Sequence, residues 1–354
     1  MIKSKASKKV RYVFTSDFHL NKLSRFFPNH LDLQFNEMCK PCDYALASGI
    51  KTVVVAGDIS EDPTLDGPAM TMLLRWLLKY DGLLNIHIVL GNHDFAHVEQ
   101  HSLGAITELC RSNRMKSTFI YEKPTHIQIE GVHFNMLPFP YGTADKKWNG
   151  GPSINVAHLE WEGALRDNGK SSIVGGYTDG DAGIDVWNIG HLHTPQWLKK
   201  PRVLYCGTLY QTNFGETLDK SWCDCIAKYS KSSKVLDFSF KRIPSRCAFT
   251  LQNLHIEERA DFDKIEKNPM RLYKLWMGVD VKIPKSLTTD FPNIIDIRGG
   301  KVSEEEQSDF VLEGKELEKL DNKKILSSIL RSRGLDKAQR KRAPIILREL
   351  GITI

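Results

Sequence analysis

Val89-Leu90-Gly91-Asn92-His93-Asp94 closes a short, mostly apolar run that begins at Ile86. Such a run reads as a buried strand, and it breaks off in glycine followed by three polar groups that can bind metal or move protons. Asn92 offers a neutral carbonyl oxygen, His93 a titratable imidazole, and Asp94 a carboxylate able to hold that imidazole in one tautomer. Alone, the tetrapeptide would equally suit a polar strand-to-helix turn with Asp94 as its N-cap. Its surroundings decide between the two.

Two earlier strands end in the same way. Residues 10–15 run into Asp17-Phe18-His19, and residues 52–56 run into Gly57-Asp58. Helical stretches over 30–47 and 69–79 separate the three strands. That alternation implies right-handed crossovers and a largely parallel sheet, in which ligands collect beyond the carboxyl ends of the strands. Further on, residues 125–130 and 132–139 read as a hairpin about Glu130-Gly131. Residues 153–157 then end in His158, and 184–189 end in Gly190-His191-Leu192-His193. Five of the twelve histidines (His19, His93, His158, His191 and His193) thus fall at strand ends, which a random scatter would not produce. Strands over 202–206, 222–229 and 235–241 complete a core domain of residues 1–245.

The 354 residues exceed one core of ordinary size, so a second, smaller domain is expected. Residues 246–302 supply it, with strand-like runs at 248–256 and 272–281 around a helical segment near 261–267. An acidic linker over 303–320 follows, and a helical segment over 321–354 carries an apolar face of Ile325, Leu326, Ile329 and Leu330. Apolar content of 41% and charged content of 26% are ordinary for a globular chain. No apolar run approaches the roughly 18 residues that span a bilayer, so no membrane partner and a cytoplasmic location are expected. Seven irregularly spaced cysteines make no disulfide framework. Cys39-Lys40-Pro41-Cys42 has zinc-ligand spacing but no second pair to complete a site. The net charge of +6 permits a polyanionic partner without demanding one.

Asp17, His19, Asp58, Asn92, His158, His191 and His193 together make a donor set of carboxylate, amide oxygen and imidazole. With no thiolate, it favours divalent ions such as Mn, Fe or Zn in roughly octahedral sites. Seven donors are too many for one ion that must also hold water and substrate. Two ions about 4 Å apart, sharing a carboxylate, fit the number, and such pairs hydrolyse phosphate esters.

The series Asp17-Phe18-His19, Gly57-Asp58, Gly91-Asn92-His93-Asp94, His158 and Gly190-His191-Leu192-His193 resembles the D-x-H, G-D, G-N-H-[DE], lone His and G-H-x-H motifs of the calcineurin-like metallophosphoesterases. The likeness covers about the first 245 residues. It implies an α/β fold, a four-layer β-sandwich flanked by helices, with a small α+β capping domain and a C-terminal helical segment. By position it implies that Asp17, His19 and His193 hold one metal, that Asn92, His158 and His191 hold the other, and that Asp58 bridges them. His93 would steady the transition state or protonate the leaving oxygen, with Asp94 orienting it.

Leu204-Tyr205-Cys206-Gly207-Thr208-Leu209, continuing to Phe214-Gly215-Glu216, is similar to the Y-x-G-[ST] and F-G-E segments of SbcD-type repair and recombination nucleases, bacterial and phage. That likeness implies a two-metal DNA exonuclease with endonuclease capability, acting with Mn²⁺, or with Fe²⁺, Zn²⁺ or Mg²⁺. Its partners would be DNA, an SbcC-type ATPase gripped through residues 321–354, and a second copy met through the helices after D-x-H and G-N-H-D, near Phe26, Phe27 and Leu31. Phe139, Tyr141, Trp148, Tyr210 and Phe214 fall in loops near the strand ends, where bases could stack. Two departures stand out: Asn21 where many such nucleases have glycine, and Glu61 where several have histidine. A phosphoesterase for small molecules or phosphoproteins, and a scaffold that mainly binds an ATPase, are the competing readings.

Overall fold

Along β1 (Lys8–Thr15), Val10, Tyr12 and Phe14 face one apolar cluster while Val13 faces another. A strand buried on both faces reads as an unbroken apolar run, and it requires a packed layer on each side. One layer is helical: α1 (His30–Ala47) and α2 (Gly67–Tyr80) bury Met38, Cys42, Leu73 and Leu77 against Val13, Val53, Val55, Ile86 and Ile88. Trp76 is wholly enclosed there, and its indole N–H donates to Met38 O at 3.0 Å. Cys39 and Cys42, the pair with zinc-ligand spacing, lie in this apolar core as free thiols.

In this computed structural model the described residues are 8–97, 100–148, 150–167, 169–172, 177–178, 184–230, 232–284 and 286–301. The proposed acidic linker and the segment containing Ile325, Leu326, Ile329 and Leu330 lie outside them. The chain separates into two units. One comprises Met1–Asn253, Glu266–Lys274 and Asn293–Ile295, and the other comprises Leu254–Ile265, Leu275–Pro292 and Asp296–Ile354.

The first unit is built on two six-stranded sheets. In one, β2 (Thr52–Ala56), β3 (Asn85–Val89), β6 (Thr118–Tyr121), β13 (Ser221–Ser230) and β14 (Val235–Pro244) join β1 in the order β14-β13-β1-β2-β3-β6. In the other, β7 (Thr125–Ile129), β8 (Val132–Leu137), β9 (Ile154–His158), β10 (Val186–Gly190), β11 (Gln196–Leu198) and β12 (Val203–Tyr205) run in the order β11-β12-β10-β9-β8-β7. Strands β1, β2, β3 and β6 are mutually parallel, as are β8, β9, β10 and β12. Tyr12, Phe14, Val54 and Val89 from the first sheet meet Phe134, Met136, Ile154 and Val156 from the second in one continuous core. Each fully buried side chain of this size contributes roughly 1.5–3 kcal/mol, so the strand ends stand on a rigid base.

The architecture is thus a helix-covered sandwich of two mixed sheets. The far face of the second sheet carries a third apolar cluster. Leu159, Trp161, Ala164 and Leu192 pack there on Trp187 and Tyr205, and among the described residues this layer contains no helix. After Gly91-Asn92-His93-Asp94, β4 (Phe95–His97) pairs antiparallel with β5 (Gln100–His101), before α3 (Gly104–Arg111).

A three-stranded sheet follows in the order β15-β16-β17, formed by Thr250–Ile256, Arg271–Lys282 and Ile294–Lys301. The helix expected near 261–267 is instead a 3₁₀ turn, Arg259–Lys264. Asp261 sets it by accepting from the backbone N–H groups of Glu257 and Glu258 at 2.7 and 3.0 Å. The second unit also holds a single helical turn, α4 (Leu287–Asp290).

Candidate metal centre

Five parallel strands deliver their last residues to one edge of the sandwich. The β1 and β2 loops lock together, since Asp17 N donates to Gly57 O at 3.0 Å and His19 N to Asp58 O at 2.9 Å. In the second sheet, Gly190 lies beside His158 in register. Asp17, His19, Asp58 and His191 all adopt positive φ, at 57°, 44°, 51° and 96°. Non-glycine residues in that region are held there at a cost of about 1–3 kcal/mol each, and such strain gathers where side chains must be aimed. Glycine in the motifs has a steric reason. A Cβ on Gly91 would sit 2.1 Å from Asp58 Oδ1, and one on Gly190 would sit 1.9 Å from Ala56 O.

The loops bring all seven expected donors together. Asp17, His19 and His193 form one group that could hold a metal ion, and Asp58, His158 and His191 form another. Asn92 Oδ1 joins the second group, 3.0 Å from His158 Nε2 and 3.1 Å from His191 Nδ1. A single oxygen, Asp58 Oδ2, lies 3.2 Å from His158 Nε2 and 3.6 Å from His19 Nε2. Asp58 therefore stands between the groups.

The hydrogen bonds behind the rings show what the space in front of them suits. His158 Nδ1 lies 2.8 Å from Ala56 O and must donate, because a carbonyl only accepts. In the neutral ring its Nε2 then carries a lone pair that faces two oxygen acceptors. His19 and His193 each turn Nδ1 to a carboxylate, Glu61 Oε2 and Glu216 Oε1, both at 2.9 Å. Their Nε2 atoms meet at 3.0 Å, lone pair toward lone pair in the neutral rings. An enclosure lined by acceptors on every side fits divalent cations, and the nitrogen and oxygen donor set fits Mn, Fe or Zn.

The same acceptor oxygens that suit a cation also favour a proton on His158. Burial would lower the pKa of His158, yet the Asp58 carboxylate lifts it to about 9. Burial and the neighbouring His158 push His191 down to about 4. Burial opposes ionisation of Asp58, but His158 and His19 overcome it and hold the carboxyl well below its usual range. The cavity pulls positive charge onto its most enclosed ring.

His93 and Asp94 part company. His93 Nδ1 lies 2.7 Å from Glu61 O, its backbone N–H donates to Asp58 Oδ1 at 2.9 Å, and its side chain is 39% exposed. Asp94 does not orient that ring. It is fully buried, accepting from Ser60 N and Ser60 Oγ on one oxygen and from Gly91 N on the other, each at 2.9 Å. Adjacent residues of the turn point in opposite directions, so Asp94 holds the loop carrying Asn92 and His93. Burial and the nearby Asp58 charge raise its pKa. Glu61 and Glu216, to which sequence reasoning gave no role, are the carboxylates directly behind the rings. The signal for Glu61 was its departure from the motif series, and for Glu216 its place at the end of Phe214-Gly215-Glu216.

The aromatic residues expected near the strand ends divide. Tyr210 is buried against Phe249, Trp148 stacks on His133, and Phe214 packs on Phe26, while Phe139 is 37% exposed. Phe27 is buried against Phe249, and Phe26 and Leu31 pack on the same core. Phe26 and Leu31 are only partly buried.

A family model described as calcineurin-like phosphoesterase matches residues 10–195. No curated protein matches the chain. Among solved structures, GAP50, the anchor in the inner membrane complex of Plasmodium, is 12% identical, with 67% of this chain and 85% of that one covered and a TM-score of 0.36. Vps29 of Entamoeba histolytica, complexed with zinc, is 12% identical over 66% of this chain and 99% of its own, with a TM-score of 0.29. Vacuolar Protein Sorting 29 of Cryptosporidium parvum is 10% identical over 67% and 98%, with a TM-score of 0.30.

Proposed function

We propose, since this chain belongs to the calcineurin-like phosphoesterase family, that it is a two-metal-dependent DNA nuclease, the nuclease subunit of an SbcCD-type repair or recombination complex. The observation that carries the reading is the shared carboxylate. Asp58 Oδ2 faces His19 on one side and His158 on the other, at 3.6 and 3.2 Å. Asp17, His19 and His193 would hold one ion and Asn92, His158 and His191 the other, with Asp58 common to both. Mn²⁺ suits these donors, and a bound pair of such ions polarises a phosphoryl oxygen and lowers the pKa of a water between them.

The chain's own residues supply the rest. With Nδ1 anchored on Glu61 O, the ring of His93 is 39% exposed and lies beside His19, the ring centroids 4.9 Å apart. As the imidazolium, with Nε2 also protonated, it can hydrogen-bond a phosphoryl oxygen or give that proton to the leaving oxygen as the P–O bond breaks. The backbone carbonyl of Glu61 orients that ring, and Asp94 holds the loop that carries it.

DNA as substrate is supported by the Leu204 to Glu216 segment with its likeness to SbcD-type nucleases, and by the Glu216 contact with His193 that ties this segment to the centre. Phe139 supports it too, being exposed just beyond β8 and bonded through its N–H to Leu90 O at 2.8 Å, next to Gly91 and Asn92. The net charge of +6 adds nonspecific attraction to a phosphate backbone. A catalytically silent scaffold would be expected to lose donors, and all seven are retained here. Residues 321–354 would grip the ATPase.

The test is cleavage of linear duplex and single-stranded DNA by the purified chain with Mn²⁺, beside an Asp58→Asn control. Cutting by the wild type that the variant lacks is the expected result. Intact DNA alongside rapid hydrolysis of an aryl phosphodiester, unchanged by adding an SbcC-type ATPase, would contradict the DNA assignment and favour a small-molecule phosphoesterase.

A further inference from the structure

We propose that the cation position framed by Asp17, His19 and His193 is the tighter of the two, because each of its imidazoles is gripped from behind by its own lysine-backed carboxylate. The inference rests on the two-metal reading above and adds an order of affinity to it.

The same device is built twice, from distant parts of the chain. Glu61 gives Oε2 to His19 Nδ1 at 2.9 Å, while Lys22 closes on its other oxygen, Oε1. Glu216 gives Oε1 to His193 Nδ1 at 2.9 Å, while Lys220 Nζ lies 2.5 Å from Oε2. Each lysine pins one carboxylate oxygen so that the other stays aimed at the ring. The carboxylate fixes the Nδ1–H tautomer and makes Nε2 a stronger donor to a metal than an amide partner would.

The second position lacks this arrangement. His158 gives its far N–H to a backbone carbonyl, Ala56 O. His191 turns Nδ1 toward Asn92 Oδ1. Among the described residues, no carboxylate hydrogen-bonds to the far nitrogen of either ring. The two positions therefore present donors of unequal strength despite their similar composition.

The two grips also differ in how safely they can be removed. Glu216 is 1% exposed and accepts further bonds from Thr212 and Asn213, so truncating it would strand Lys220 in the interior. Glu61 and Lys22 are 17% and 24% exposed, and water can replace what is taken away there.

The experiment is calorimetric titration of the full, EDTA-stripped chain with Mn²⁺, with melting curves to verify folding. The wild type is expected to bind in two steps. Glu61→Ala should weaken the tighter step about 10–100-fold and leave the weaker within about threefold. Glu61→Gln keeps an oxygen that can accept from Nδ1–H but not the charge, and should recover only part of the loss. Asn92→Ala should remove the weaker step alone. Two wild-type steps that Glu61→Ala leaves in place, or a shift confined to the weaker step, would overturn this inference while the two-metal reading stands. A folded wild type that binds no Mn²⁺ would overturn both.

Discussion

His93 and Asp94 are chain neighbours with opposite surroundings, and substitution should separate them. The imidazole of His93 is 39% exposed, so water can take its place at Glu61 O. His93→Ala is therefore expected to lower DNA hydrolysis by about 10²–10⁴-fold with an unchanged melting temperature. Asp94→Ala would leave the buried N–H groups of Ser60 and Gly91 unpaired, at about 1–3 kcal/mol each. It should lower the melting temperature clearly, and activity with it. A stable Asp94→Ala protein, or a destabilised His93→Ala, would contradict this division of labour. That the seven candidate donors would meet was legible in the sequence, because each follows an apolar run at a short spacing. The roles of Glu61 and Glu216 were not, because each is defined by a ring 42 or 23 residues away in the chain. Adjacency misled for Asp94, since consecutive residues in a tight turn seldom face the same way.

At the scale of elements, the centre depends on how closely the loops after β2 and β3 approach. Gly91 lies so near Asp58 that a Cβ would meet both Oδ1 at 2.1 Å and the backbone N at 2.4 Å, and neither is the free end of a flexible chain. Gly91→Ala must push the β2 loop aside, and Asp58 with it. A displacement of about 1 Å can cost 10²-fold in rate, so a drop of at least about that size is expected in Mn²⁺-dependent hydrolysis, with far-UV circular dichroism unchanged. Full activity in that variant would show that the loops are not set by this contact. Helix α1 and strand β2 were readable to the residue, because an amphipathic run between turn signals and a five-residue apolar strand leave little choice. The turn at Arg259–Lys264 was not, because Asp261 competes for backbone N–H groups in a short polar stretch where no apolar face favours a full helix. Nor was the layer around Trp161, which follows no period.

At the scale of the molecule, the centre lies where two sheets end side by side. Asp17, His19, Asp58 and Asn92 follow strands of the first sheet, while His158, His191 and His193 follow strands of the second. Each proposed ion thus takes donors from both sheets, and Asp58 is common to the two positions. The sandwich explains why strands so far apart in sequence can build one site: parallel strands all carry their carboxyl ends to the same edge. The most direct measurement is anomalous diffraction at the manganese edge from crystals grown with Mn²⁺. Two peaks are predicted, one bounded by Asp17, His19 and His193 and the other by Asn92, His158 and His191, with Asp58 between them. A single peak, or peaks away from Asp58, would contradict the two-metal centre.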